Sequence, residues 1–179
     1  MASLRTVGHS TADAAPFAEL LGRTGVELLV DVRSFPGSRK FPHFGREQLQ
    51  TWLPAAGVEY RWESRLGGRR KKIFADSAHT ALRDASFRNY ADYMTSDPAF
   101  EIALDEVLAE ADQRVTAIMC SEAVYWRCHR RLVCDAAVLL RDADVLHIGH
   151  DGRLTPHALT SGVRLHPGGG IVYDVKQTD

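Results

Sequence analysis

The chain has 179 residues, of which 45% are hydrophobic and 25% are charged, and its formal net charge is −1. This composition is typical of a soluble globular protein and excludes a disordered or collagen-like chain. No run of about 18 apolar residues is present, so we expect no membrane span. The first ten residues lack an apolar core, so we expect no signal peptide. Three cysteines are too few, and odd in number, for a disulfide framework, which favours a cytoplasmic location.

Apolar runs alternate with amphipathic segments along the whole chain. Strands are predicted at residues 4–7, 27–32, 58–62, 115–119, 145–148 and 171–175. Helices are predicted from Ser10 or Thr11 to Leu21 and at residues 46–56, 86–94, 98–111 and 126–140. This alternation predicts a single three-layer α/β domain over residues 1–179, in which helices flank a mostly parallel sheet. A loop-rich tail is expected from about residue 149.

Polar or reactive side chains follow several of the predicted strands. They are His9 and Ser10, Asp31 and Arg33, and Cys120 and Glu122. Ligands of open parallel sheets bind beyond the carboxyl ends of the strands, so we expect Cys120, Glu122 and His129 to converge with Asp31 and Arg33 in one pocket. Ser10 caps the first helix or binds an anion with His9. Asp31 and Arg33 form an ion pair or share the site.

The segment from Met119 to Leu132 contains two cysteines and a histidine. We predict a thiolate nucleophile at Cys120 or Cys128, with His129 as its base and Glu122 as an orienting or acidic group. A helix dipole and nearby arginines would lower the pKa of a thiol at Cys128. We nevertheless favour Cys120 as the site thiol, because a rigid strand fixes its direction, and assign Cys128 a resolving or supporting role.

A metal site is the less favoured interpretation of the same segment. Cys120, Cys128 and His129 would be its ligands, but their spacing matches no established zinc pattern. We therefore predict no cofactor. The third cysteine, Cys134, lies on a different face of the predicted helix and is interpreted as structural.

Basic residues are concentrated in the stretch from residue 33 to residue 72, which has ten basic and three acidic residues. Phenylalanines alternate with cations near Arg39 and Lys40, a pattern that suits a nucleotide base or a single-stranded nucleic acid. The alternative is a loop held in place by its own phenylalanines. The predicted substrate-binding residues are His9, Ser10, Asp31, Arg33, Arg39, Lys40 and Arg130.

Several short blocks occur together in a characteristic order. They are GHST at 8–11, LLVDVRSFPGSRKFPHF at 28–44, LGG at 66–68, MCSE at 119–122, CHR at 128–130, and HI at 147–148 followed by His157. In these blocks the chain resembles the bacterial and archaeal family called domain of unknown function 488. The resemblance implies a small α/β domain and assigns no activity. A weaker likeness to rhodanese-like domains rests on the strand ending in DVR, although the loop between Cys120 and Arg127 is one residue longer than theirs.

The leading hypothesis is a thiol-dependent hydrolase or transferase that acts on an anionic substrate, either a nucleotide or a nucleic-acid-like molecule. The alternatives are a non-catalytic nucleic-acid-binding module and a metal-dependent enzyme. No membrane partner is expected. The sequence leaves open the oligomeric state and the roles of His147, His150 and His157.

Overall fold

The computed structural model describes residues 2–176 and contains one main sheet of six strands. In chain order the strands are β1 (Ser3–Gly8), β2 (Leu28–Asp31), β3 (Glu59–Trp62), β4 (Thr116–Cys120), β5 (Asp144–Ile148) and β6 (Leu154–Pro156). Their spatial order is β3-β2-β4-β1-β5-β6, and only β6 is antiparallel to its neighbour. The predicted α/β class with a mostly parallel sheet is therefore confirmed.

Five α-helices cover the two faces of this sheet. They are α1 (Ala14–Arg23), α2 (Arg46–Ala55), α3 (Ala85–Ser96), α4 (Pro98–Ala111) and α5 (Arg130–Arg141). One core joins the sheet to α1 and α2, and a second core joins its other face to α3, α4 and α5. The predicted three layers are present. None of the helices in residues 2–176 is long and apolar enough to cross a membrane.

The tail predicted to be loop-rich contributes regular structure and core residues. Besides β6, it contains an antiparallel pair formed by β7 (Val163–Leu165) and β8 (Ile171–Tyr173). Ile171 and Tyr173 are buried against the core that α3, α4 and α5 share. The end of the described chain is thus anchored to the domain by apolar burial.

The connections that leave β1 and β4 go to opposite faces of the sheet, which makes the junction of these two strands a topological switch point. These strands pair in parallel, with Gly8 opposite Cys120. The helix that follows β1 packs on one face of the sheet, whereas the helix that follows β4 packs on the other. Such a switch point opens a crevice beyond the carboxyl ends of the two strands. Both cysteines of the Met119–Leu132 segment border this crevice.

Close packing at the crevice explains the glycine of the first block. A Cβ atom at Gly8 would overlap the carbonyl oxygen of Glu122, a main-chain atom that cannot move aside independently. The backbone N–H groups of His9 and Ser10 donate to the carbonyl oxygens of Cys120 and Ser121, at 3.0 Å each. The two strand ends are therefore joined by main-chain hydrogen bonds.

The first helix begins later than the sequence predicts. Its N-cap is Asp13, and neither Ser10 nor Thr11 caps it. Ser10 has a φ of 49°, and the chain turns here, with the Ala12 N–H donating to the His9 carbonyl. This turn directs the Ser10 N–H to the carbonyl of Ser121, just after β4, before the helix starts. The chain therefore cannot enter the helix directly from β1.

The helix predicted at residues 126–140 is also shorter. Residues Tyr125–Arg127 form a 3₁₀ turn, Cys128 is extended, and α5 starts at Arg130 after His129. Trp126 is exposed, so a helix starting there would have no core contact to stabilise its first turn. The N-terminal N–H group of Arg130 donates to the sulfur of Cys128, which satisfies one of the helix's unpaired donors.

Candidate active site

Two free thiols meet at the floor of the crevice. The Sγ atoms of Cys120, at the end of β4, and Cys128, just before α5, are 2.9 Å apart. Their side chains are almost fully buried, yet both residues line the crevice. A small molecule in the crevice can therefore reach the pair.

A buried arginine contacts both sulfurs. The Nε–H of Arg130 donates to Sγ of Cys120 at 3.0 Å, and its backbone N–H donates to Sγ of Cys128 at 3.2 Å. Only 1% of Arg130 is exposed, and no carboxylate in residues 2–176 forms an ion pair with it. A buried cation without a compensating charge is strongly disfavoured, so the thiol pair is the group placed to supply the negative charge.

The surroundings shift the pKa values of the two thiols in opposite directions. Burial opposes ionisation of Cys128, but the hydrogen bond from Cys120 and the charge of Arg130 outweigh it and lower the pKa of Cys128 to about 6. Burial, together with the hydrogen bond and the charge of Cys128, raises the pKa of Cys120 well above its usual value. These opposite shifts favour a pair that holds one proton and one negative charge at neutral pH, with Cys128 as the more acidic thiol.

His129 presents an unprotonated ring nitrogen to Cys128. Its Nε2 lies 3.0 Å from the carbonyl oxygen of Val32, and a carbonyl only accepts, so Nε2 carries the proton of the neutral ring. The unprotonated Nδ1 then faces Sγ of Cys128 at 3.7 Å. Burial lowers the pKa of His129, which favours the neutral ring. The ring points toward the sheet as predicted, but its sulfur partner is Cys128 rather than Cys120.

The LGG block is explained by its contact with this histidine. A Cβ atom at Gly68 would overlap Nδ1 of His129 and lie 2.6 Å from Cγ. The ring is also packed edge-on against Tyr90, with centroids 5.2 Å apart. Glycine at position 68 therefore allows the imidazole to occupy its place beside Cys128.

Asp31 and Arg33 form a buried ion pair. Nε and Nη2 of Arg33 donate to the two carboxylate oxygens at 2.8 and 2.6 Å, and the Tyr60 hydroxyl adds a hydrogen bond of 2.7 Å. Of the two alternatives left open by the sequence, the ion pair is present. Arg33 also lines the crevice, so it belongs to the site while its charge is largely balanced by Asp31.

His9 supports Arg33 and is neutral. Its Nδ1 donates to the Ser10 carbonyl at 2.9 Å, which leaves Nε2 to accept from Nη1 of Arg33 at 3.4 Å. Burial, the largest effect, and the charge of Arg33 lower the pKa of His9 to about 4. Its ring stacks on Phe44 with centroids 4.1 Å apart. His9 therefore carries no positive charge at neutral pH, although it and Ser10 both line the crevice.

The crevice is a basic pocket of about 1190 Å³. Its lining includes one acidic residue, Glu122, and seven basic residues: Arg33, Arg39, Lys40, Arg69, Arg70, Lys71 and Arg127. Five of the seven are exposed and form no ion pair with another described residue: Arg39, Lys40, Arg69, Lys71 and Arg127. We refer to these five as the cationic rim. They give the pocket a positive potential that attracts anions.

The phenylalanines of the basic loop have different environments. Phe44 is fully buried beneath His9, so it holds the loop in place. Phe35 is 71% exposed at the pocket, with the guanidinium of Arg69 5.8 Å from its ring centroid. Phe44 therefore matches the alternative of a loop held in place by its own phenylalanines, whereas the nucleotide-binding interpretation of Phe35 stays a prediction.

Glu122 and Arg130 act differently from the sequence expectation. Glu122 is exposed, and in residues 2–176 its hydrogen bonds are made by its main chain: its N–H donates to Sγ of Cys120 at 3.3 Å, and its carbonyl accepts from Nη2 of Arg130 at 2.6 Å. Arg130 was expected to bind substrate, but it lies beneath the pocket floor and binds the thiols instead. Arg127, which ends the loop that was compared with rhodanese-like domains, is exposed at the rim of the pocket.

Three further residues near the thiols have donor atoms that could meet at one metal ion. The ligand atoms of Cys134, His147 and His157 lie within 4.8 Å of one another. Nε2 of His147 and Nδ1 of His157 are 2.9 Å apart, which is a hydrogen-bond distance. At the other candidate set, Cys120, Cys128 and His129, the guanidinium of Arg130 donates to the sulfur of Cys120 and would repel a divalent ion.

Residues outside the predicted site complete its surroundings. Thr6 accepts from Nη1 of Arg130 at 3.0 Å, and the Val32 carbonyl orients His129. His150, left unassigned by the sequence, donates from Nε2 to the Gly8 carbonyl at 2.6 Å. The Thr6 and Val32 contacts depend on strand register and main-chain atoms, which leave no residue-type pattern in a sequence.

Fold and site together define a three-layer α/β protein with a buried thiol pair at the switch point of its sheet. The chain belongs to the family described as Domain of unknown function DUF488, whose match covers residues 13–137. No curated protein matches the chain, and no solved structure does. The likeness to rhodanese-like domains is not shown by these comparisons.

Proposed function

We propose that the protein is a thiol-dependent enzyme that transfers or hydrolyses a group on an anionic substrate, with Cys128 as the nucleophile. The observation that carries this proposal is the contact of the buried Arg130 with both sulfurs. This contact favours a thiolate at neutral pH, the reactive form of cysteine. A purely structural pair of thiols does not need a buried cation beside it, whereas a nucleophilic thiolate is stabilised by one.

The proposed reaction uses the thiolate of Cys128 to attack an electrophilic centre of the substrate. A bond forms between Sγ and that centre, and the leaving group departs with its bonding electron pair. Water or another acceptor then attacks the same centre, its proton passes to Nδ1 of His129, and the electron pair of the broken bond returns to Sγ. His129 is placed for this second step because its Nδ1 is unprotonated and faces Sγ of Cys128.

The charge of the pocket supports an anionic substrate. The cationic rim surrounds the entrance to the thiols, and no carboxylate among the described residues neutralises it through an ion pair. Phe35, exposed beside Arg69, offers a planar apolar face next to a cation. A nucleotide, which combines phosphate charge with a planar base, suits both features.

A non-catalytic nucleic-acid-binding role is the second candidate. The exposed Phe35 beside the cationic rim favours it, because base stacking and phosphate contact need no thiol. This role gives no reason for a buried arginine against two cysteines. We therefore place it second.

The test uses two alkylating probes of different charge, iodoacetate and iodoacetamide, with labelled cysteines mapped by mass spectrometry. We expect Cys128 to be labelled first, with a rate that reaches half its maximum near pH 6. Compared with free cysteine, the ratio of iodoacetate to iodoacetamide rates should be higher. Replacing Arg39 and Lys40 together by serine should lower this ratio, since both are exposed at the rim.

Activity is then measured on nitrophenyl esters of phosphate, sulfate and carboxylates. Cys128→Ser should abolish any turnover found, whereas Cys134→Ala should retain it, because Cys134 lies outside the pocket. A Cys128 that is alkylated with an ordinary thiol pKa of about 8.5 would contradict the proposal. Full turnover by Cys120→Ala and Cys128→Ser alike would exclude both thiols as nucleophiles and refute the proposal.

A further inference from the structure

A chain of hydrogen bonds runs from Arg130 to a buried carboxylate on the far side of the thiol pair. Nη1 of Arg130 contacts Oγ1 of Thr6 at 3.0 Å, and Oγ1 contacts Nδ1 of His147 at 2.7 Å. Nε2 of His147 contacts Nδ1 of His157 at 2.9 Å, and Nε2 of His157 contacts a carboxylate oxygen of Asp135 at 2.9 Å. Two of the histidines left unassigned by the sequence are therefore part of one chain.

When both histidine rings are neutral, the chemistry of the two ends determines the direction of every hydrogen bond in this series. The carboxylate of Asp135 only accepts, so Nε2 of His157 carries a proton, and the Nδ1 of a neutral His157 must accept. Nε2 of His147 therefore donates, and the Nδ1 of a neutral His147 accepts from Thr6. The hydroxyl of Thr6 thus turns its lone pairs toward Arg130, whose guanidinium only donates.

The chain is anchored at its acidic end and shielded along its length. Asp135 also accepts from the Thr160 N–H and the Tyr173 hydroxyl, at 2.9 Å each, and it is fully buried. The ring of Tyr125, in the loop between the two cysteines, stacks on His147 with centroids 3.5 Å apart. Hydrogen bonds from the protein thus anchor Asp135, and the ring of Tyr125 covers His147.

We propose that Thr6, His147, His157 and Asp135 form a positioning chain that holds the guanidinium of Arg130 against the Cys120–Cys128 pair. Its members touch neither the pocket nor a sulfur through their hydrogen bonds, so they act through Arg130. The inference rests on the thiolate site proposed above. It adds that the reactivity of Cys128 depends in part on residues far from it in the sequence, Thr6 on one side and His147 and His157 on the other.

A change at His157 reaches Thr6 and Arg130 through the tautomer of His147. Without His157, the Nε2–H of His147 has no acceptor, and the ring is free to carry its proton on Nδ1 instead. Nδ1–H would then donate to Thr6, whose hydroxyl proton would have to turn away, toward the guanidinium. Burial, followed by His157 and Arg130, lowers the pKa of His147 to about 3, so a second proton on this ring does not compensate.

The experiment measures the pKa of Cys128 from the pH dependence of iodoacetamide alkylation in four full-length proteins. They are the wild type, Thr6→Val, Thr6→Ser and His157→Gln. The charged group facing the thiols is Arg130 and the titratable group facing them is His129, and no variant alters either residue. We expect Thr6→Val and His157→Gln to raise the pKa by about one unit, equivalent to about 1.36 kcal/mol. Thr6→Ser keeps the hydroxyl and should keep the wild-type value.

A second readout follows the histidine ring itself. Nitrogen-15 NMR of the wild type should show His147 protonated at Nε2 and unprotonated at Nδ1, and His157→Gln should shift the proton to Nδ1. Melting temperatures of all four proteins separate a general loss of stability from a shift in acidity. These measurements need no substrate. They can therefore contradict the positioning role while Cys128 still catalyses turnover, or support it when no turnover is found.

Three results would overturn the positioning chain. The first is an unchanged Cys128 pKa in Thr6→Val and His157→Gln proteins that remain folded. The second is a wild-type His147 protonated at Nδ1, because the direction of the chain would then be reversed. The third is a stoichiometric metal in the purified protein that is lost in Cys134→Ala and His157→Gln, since a metal at Cys134, His147 and His157 would replace the central hydrogen bond.

Discussion

Replacement of Gly68 by alanine tests how tightly the imidazole of His129 is held beside Cys128. The added Cβ would overlap Nδ1 and lie 2.6 Å from Cγ of the ring. His129 cannot swing aside freely, because Nε2 is bonded to the Val32 carbonyl and the ring is packed against Tyr90. The ring or the loop must therefore shift, and the contact between Nδ1 and Cys128 is lost.

The cost follows from overpacking a buried site. Such insertions typically destabilise a protein by about 1–3 kcal/mol. For a chain of this length, each kcal/mol corresponds to about 2–4 °C in melting temperature, so Gly68→Ala should melt about 2–12 °C lower. Iodoacetamide alkylation of Cys128 at neutral pH should change at the same time, because the displaced ring no longer faces the sulfur.

Gly37 provides the matched control. It also lines the pocket, but a Cβ atom at this position would meet nothing within 4 Å. Gly37→Ala should therefore leave both the melting temperature and the alkylation rate near their wild-type values. If Gly68→Ala behaves like Gly37→Ala in both assays, the imidazole is not confined by Gly68 and the reasoning is refuted.

Three further predictions concern oxidation, acid and nucleic acid. Mild peroxide should join Cys120 and Cys128 with loss of two hydrogens and leave Cys134 reduced, since the first two sulfurs are 2.9 Å apart; peptide mapping that finds Cys134 in the disulfide would contradict this. The pKa of His9 falls to about 4 on folding, so the unfolded state binds more protons than the folded state between pH 6.5 and 4. The free energy of unfolding should therefore decrease as the pH falls through this range. Urea titrations should show this decrease with a slope of up to about 1.4 kcal/mol per pH unit, and His9→Asn should remove it. If single-stranded oligonucleotides bind the cationic rim, the salt dependence of log K should weaken by about 1.4 when Arg39 and Lys40 are replaced by serine, and no binding at low salt would leave only small anions as substrates.

Much of the fold could be predicted from periodicity. Buried parallel strands are short continuous apolar runs, and this signal predicted a strand at residues 27–32, where the structure has Leu28–Asp31. The helix Pro98–Ala111 matches its prediction at both ends, because Asp97 caps it and Pro98 suits the first helical position. These signals are local, so a sequence alone carries them.

The errors occurred where tertiary contacts override local preference. Ser10 and Thr11 are good capping residues, but a main-chain hydrogen bond to Ser121 determines the backbone at Ser10. Similarly, the segment before Arg130 is helix-compatible in sequence, yet Cys128 is extended where its sulfur meets Cys120. In both places the local departure from the predicted helix is what builds the site.

The candidate site was partly predictable for the same reason. Cys120, Glu122 and His129 were predicted to converge with Asp31 and Arg33 in one pocket at the strand ends. All of them line the pocket except Asp31, which is buried as the ion-pair partner of Arg33. The choice between the two thiols was not predictable. It depends on Arg130, whose contact with Cys128 is made by a backbone amide at a helix start that the periodicity placed four residues too early.

The register of the central strands connects the thiols to the ends of the chain. Thr6 lies opposite His147 in the pairing of β1 with β5, and Gly8 lies opposite Cys120 in the pairing of β1 with β4. A slip of one residue would turn Thr6 to the other face of the sheet and remove it from Arg130. The first strand is therefore part of the site even though it supplies neither cysteine.

The extent of the family match sharpens this point. The matched range, residues 13–137, contains both cysteines of the pair, Arg130 and Asp135, but it excludes Thr6, His147 and His157. It also excludes β1 and β5, the strands that complete the centre of the sheet around β4. A fragment limited to the matched range would keep the sulfurs and lose the groups that orient Arg130. The chemistry of the thiol pair must therefore be measured in the full chain, where both ends are present to set it.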